Sequence, residues 1–92
     1  MSKTDLNSNE TTVLNYIVTT TTKYEGLYTK LMDVFTKYLE YKEDATLLSV
    51  NRTIKKLEKK GYCSYEEATD YITVKSKSME VLTRYYLVSR FS

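Results

Sequence analysis

The chain has 92 residues, 41% hydrophobic and 28% charged, with a formal net charge of +2; this suits one small domain spanning 1–92 and argues against a disordered chain, a deep catalytic cavity or a membrane protein. No apolar run approaches the ~20 residues of a bilayer span, and the polar start MSKTDLNSNE lacks the apolar core of a secretion signal, so a cytoplasmic protein is expected. The single cysteine, Cys63, has no disulfide partner, and without histidine there is no Cys/His set for zinc.

Residues 1–7 are expected to be disordered. Asn7 followed by Glu10 has the spacing of a capping box, and Val13, Leu14, Ile17 and Val18 then recur at helical intervals, predicting a first helix over 8–20. Four threonines, 19 to 22, stop it, because their hydroxyls compete for backbone hydrogen bonds. From Tyr24 the apolar positions 24, 27, 28, 31, 34, 35, 38 and 39 form one long ladder, predicting a second helix that starts at Tyr24, or just after Gly26 given the cost of an interior glycine, and ends at Tyr41 to Asp44. A third helix begins between Thr46 and Ser49 and ends at Gly61, which is placed for a left-handed C-terminal cap.

Beyond Gly61 the texture becomes extended. Residues 62–65 and 71–75 read as strands around a turn at 66–70, and Val81 to Ser89 as a third strand, with a C-terminal helix as the alternative.

Charge is segregated along the chain. Residues 1–48 hold five lysines against seven acids and residues 61–92 are balanced, whereas 49–60 hold Arg52, Lys55, Lys56, Lys59 and Lys60 against Glu58 alone. With Val50 at zero on a helical wheel, Leu47, Ile54, Leu57 and Gly61 lie within roughly 60° of it. Lys55, Lys59, Arg52, Lys56 and Lys60 lie at about 140°, 180°, 200°, 240° and 280°, opposite the apolar stripe. Lys59 and Lys60 have a structural reason to be there, since cations in a last turn offset the helix dipole. Arg52, expected near the start of the helix, has none.

Taken alone, such a face is most often solvated surface. The order of elements gives it another meaning. Three helices, the third ending in LEKKGY, then a hairpin, resemble a winged helix-turn-helix domain, an α+β fold. The segment TLLSVNRTIKKLEKKGYC carries the likeness through Ser49, Val50, Ile54, Leu57, Glu58, Lys59, Gly61 and Tyr62. Tyr24, Glu25, Leu27, Leu31 and Phe35 are similar to the second helix of PadR-like and MarR-like regulators, and TRYYLVS at 83–89 resembles a returning wing strand. Small winged helices rich in Tyr and Lys and lacking His and Trp are similar to proteins of crenarchaeal viruses and plasmids, whose setting would be the host cytoplasm.

The resemblance implies a transcription regulator that binds double-stranded DNA as a homodimer and inserts the third helix into the major groove. Lys55, Lys56, Lys59 and Lys60 would then meet phosphates, Asn51 and Arg52 would read base edges from the first turn of that helix, and Ser49 would donate to a phosphate. The 66–70 turn is acidic, so the wing tip would instead be Lys75-Ser76-Lys77-Ser78, in a hairpin between 71 and 89. Stacking of Tyr62, Tyr65 or Tyr71 on unpaired bases is a lesser alternative. Glu66, Glu67 and Asp70 are the nearest approach to catalytic groups, but with no histidine, nucleophile elbow or metal-ligand spacing an enzyme, a cofactor or a small-molecule substrate is not expected. The competing reading is a winged helix given over to a protein partner, its surface made of the acidic turn and exposed tyrosines.

Overall fold

Asn7 starts the first helix, α1, Ser8–Thr20, as its capping pattern predicts: its Oδ1 accepts the Glu10 N–H at 2.8 Å, and Glu10 Oε1 accepts the Asn7 N–H at 3.0 Å. The computed structural model describes residues 6–78. The proposed strand or helix at 81–89 and the TRYYLVS segment therefore lie outside the described residues.

The threonine run ends α1 through its hydroxyls. Thr19, Thr20, Thr21 and Thr22 each donate a side-chain hydrogen bond to a carbonyl three or four residues back, and the backbone tightens into a 3-10 turn at Thr21–Tyr24. Glu25 (φ 61°) and Gly26 (φ 78°) then both adopt left-handed conformations. This corrects the expected start of the second helix. The ladder from 24 to 28 is not helical; two consecutive left-handed residues break the period. Thr29–Lys30 form a short strand, β1, and the helix, α2, runs only over Leu31–Tyr41.

The third helix, α3, spans Leu47–Lys59 with Thr46 as N-cap, its Oγ1 accepting the Ser49 N–H at 3.1 Å. Its end is a Schellman motif. The Tyr62 N–H reaches the Leu57 carbonyl and the Gly61 N–H the Glu58 carbonyl, both at 3.0 Å, with Gly61 at φ 90°. Strands β2 (Cys63–Glu66) and β3 (Tyr71–Val74) follow as an antiparallel hairpin. β1 pairs with the other edge of β3 (Thr29↔Ile72, Lys30↔Tyr71), so the sheet order is β1-β3-β2. The described residues thus form an α+β fold of helices over a small three-stranded antiparallel sheet.

The core is drawn from every layer: Val13, Leu14 and Ile17 of α1; Leu31, Val34 and Tyr38 of α2; Val50, Ile54 and Leu57 of α3; and Tyr62, Cys63 and Ile72 from the sheet side. Val50, Ile54 and Leu57 are one stripe of α3, each at most 1% exposed. A fully buried aliphatic side chain of this kind contributes about 1.5–3 kcal/mol, which is what orients the helix and turns its opposite side outward. Burial pushes the Cys63 thiol up to about 12, so it acts as a small core side chain rather than a nucleophile. No helix among the described residues is long and apolar enough to cross a membrane.

Candidate nucleic-acid interface

Burying the Val50, Ile54 and Leu57 stripe leaves Ser49, Arg52, Lys55, Lys56 and Lys59 exposed and Asn51 and Lys60 half-buried. The observed start of α3 moves two of these. With Leu47 as the first helical residue, Ser49 stands in the first turn, and Asn51 and Arg52 stand in the second. Arg52 is therefore beyond the turn in which a cation would strongly oppose the dipole.

The basic residues divide by what holds them. Lys60 is committed to the fold: its Nζ is 2.9 Å from Oε1 of Glu10, whose side chain is 4% exposed. Burial would raise the Glu10 carboxyl, but the Lys60 hydrogen bond, the Asn7 N–H and the charges of Lys60 and Lys56 outweigh it and hold the group below its ordinary 4.5. Glu10 is thus both the capping partner of α1 and the anchor for the end of α3. Lys60 is thus engaged within the fold, unlike the solvent-facing bases of α3.

Lys55 pairs with Glu67 of the hairpin turn at 3.3 Å, both side chains more than half exposed. Such a pair contributes about 0–1 kcal/mol and is screened by salt, so a phosphate can displace the carboxylate. Among the described residues no hydrogen bond or ion pair engages the side chains of Arg52, Lys56 or Lys59. These three, with Lys55, form an outward cationic strip along about two turns of helix.

The two wing lysines are placed differently from the sequence expectation. Residues 76–78 are helical, so the chain leaves β3 in a helical turn and Lys75-Ser76-Lys77-Ser78 is not a β-hairpin tip. The reason is a set of bonds back to the end of α3: the Lys75 N–H to the Tyr62 carbonyl at 3.1 Å, the buried Ser78 hydroxyl to the same carbonyl, and Lys77 Nζ to the Lys60 carbonyl at 2.8 Å. Lys77 also lies 4.4 Å from the centre of the Tyr62 ring. Lys77 therefore caps α3, and Lys75 is exposed beside it.

The acidic turn closes on itself. Asp70 is left-handed (φ 65°), its N–H donating to the Glu66 carbonyl and its carboxylate accepting the Tyr65 hydroxyl at 3.0 Å, while Thr69 donates to Glu66. These bonds fix the Tyr65 ring against the turn, where it is half-buried. Tyr62 is buried, and Tyr71 lies against Tyr28 at 4.1 Å between ring centres.

Two features escaped the sequence reading. Tyr24, Tyr28 and Tyr71 form a continuous stack, with Lys30 within 5.7 Å of the Tyr24 and Tyr71 ring centres. The Tyr24 hydroxyl also donates to Asp33, which pushes it up to about 12. Only the β1–β3 pairing brings these rings together, so periodicity could not find them. The second is Leu48, 61% exposed in the first turn of α3; its wheel position, about 160°, was legible.

The described residues hold no group of His, Cys, Asp and Glu side chains able to bind a metal ion. No family model, curated protein or solved structure matches the chain.

Proposed function

We propose that the protein is a winged-helix transcription regulator that binds double-stranded DNA by laying the outer side of α3 in the major groove. The observation that carries this reading is the exposure of Arg52, Lys56 and Lys59 on the side of α3 opposite its buried stripe, with no ion pair to an acid among the described residues. The element order, α1-β1-α2-α3 and then a hairpin, supports it. Lys55, Lys56 and Lys59 contact phosphates, and Arg52 and Asn51 read bases. The working form is a homodimer in the cytoplasm that presents two copies of α3 to successive turns of one duplex face.

Titration of the full chain against random duplex DNA at two salt concentrations tests the proposal. Binding that weakens steeply as salt rises is expected. No binding at low salt would remove DNA as the ligand. The second reading, a protein-interaction module, is favoured by one observation: Glu67 of the acidic turn reaches Lys55, so part of the cationic strip is already covered by the protein itself.

A further inference from the structure

On a helix face built for solvent or for phosphates, the centre should be polar. In α3 it is not. Leu48 projects at about 160° from the buried Val50, between Lys55 at about 140° and Lys59 and Arg52 at about 180° and 200°. It is 61% exposed, far more than Leu47 (39%), which borders the core stripe at about 60°. Leu48 is the single apolar residue on that outward arc, one turn before Arg52 on the same line.

Resting on the duplex-binding reading above, we infer that Leu48 is a specificity residue that packs on the C5-methyl group of a thymine in the major groove. A second copy of the chain is a poor occupant for this face, because a symmetric contact through Leu48 would set Arg52, Lys55 and Lys59 against their own copies. An apolar partner protein would leave the same cations without counter-charges. The surface that offers an apolar group recessed among anions is the major groove floor, where thymine alone among the four bases carries a methyl. The neutral side chain sits where the helix approaches the bases most closely and the cations flank it toward the strands.

The spacing sets the register. Leu48 and Arg52 are four residues apart, about 6 Å along the helix. With base pairs about 3.4 Å apart, the thymine lies within one or two base pairs of the guanine read by Arg52.

The test starts with duplexes enriched from a random pool by the wild-type protein, followed by replacement of each thymine in the enriched site by uracil, which deletes only the methyl. One thymine, within two base pairs of a guanine whose enrichment disappears in Arg52→Ala, is expected to lose about four-fold in affinity as uracil, the fold-change for one methyl returned to water. Leu48→Ala, matched to wild type in thermal melting, should bind the thymine and uracil duplexes alike, and Leu48→Met should retain the difference.

An enriched site whose affinity ignores every uracil replacement overturns the inference while leaving duplex binding intact; so does a thymine preference that persists in Leu48→Ala. Failure of the wild-type protein to bind any duplex at low salt overturns both this inference and the reading beneath it. The uracil series uses unaltered protein, so a site indifferent to every replacement overturns the inference even if Leu48→Ala folds poorly.

Discussion

Arg52 within α3 and Lys60 at its C-cap carry the same charge in different surroundings. Arg52 is exposed and unengaged by any described acid, whereas Lys60 bonds the buried Glu10. Arg52→Ala should therefore flatten sequence preference by about 1–3 kcal/mol at one base pair, and Lys56→Ala should weaken all duplexes about equally; competition binding against a panel of single-base variants separates the two. Lys60→Ala should instead lower thermal stability. Glu10 gives that effect a pH signature. Its folded carboxyl is held below the 4.5 of an unperturbed glutamate, so the native state binds fewer protons than the unfolded state in that range. The contribution is complete above about pH 4.5 and is lost as pH falls through the lower folded value. Glu10→Gln can keep the hydrogen bond to Asn7 but not the charge, and should cost about 1–2 kcal/mol at pH 7 while removing this part of the acid sensitivity. Denaturant melts at pH 7 and pH 3.5 would show it; an equal acid loss in both proteins would assign the sensitivity to other groups.

At the level of elements, what sequence made legible was local. Asn7 with Glu10, and Leu57 through Gly61 to Tyr62, are short-range patterns whose hydrogen bonds close within five residues, and both formed as their spacing implied. The second helix was misjudged at its start because an apolar ladder reports only which residues seek burial. Tyr24 and Tyr28 satisfy that by stacking with Tyr71 across the sheet, a non-local arrangement that needs the β1–β3 pairing. The cationic strip was readable from the wheel, but its division into engaged and unengaged residues was not: Glu10 is 50 positions from Lys60, and Glu67 is 12 from Lys55. Gly61 tests the cap. A Cβ there would meet nothing within 4 Å, so the cost of Gly61→Ala comes from φ 90° rather than from crowding. About 1–2 kcal/mol of destabilisation is expected by chemical denaturation, with the slope against denaturant unchanged. A neutral result would mean that the left-handed cap is not retained.

For the whole molecule the open quantity is how many phosphates one binding event neutralises, and it connects the strip on α3 to the proposed homodimer. Lys60 is held by Glu10 of α1 and Lys77 by the end of α3, which leaves Lys55, Lys56 and Lys59 as the cations of that helix face which the proposed reading directs at phosphates. Three contacts correspond to a slope of about −2.7 in log affinity against log salt, and two such helices on one duplex to about −5.4. The Lys55–Glu67 pair modifies this in a recognisable way, because binding must first release Glu67. Glu67→Gln removes that competitor and should tighten binding several-fold at low salt, with a smaller gain at high salt, where the exposed pair is already screened. Titrations at four salt concentrations on a duplex long enough for two half-sites and on one half that length determine both numbers. A slope that doubles on the longer duplex supports paired copies of α3, and an unchanged slope near −2.7 on both supports a single copy per site. If Glu67→Gln instead weakens binding, the acidic turn contacts the ligand directly and the protein-partner reading gains the argument, since a carboxylate cannot favour a polyanion.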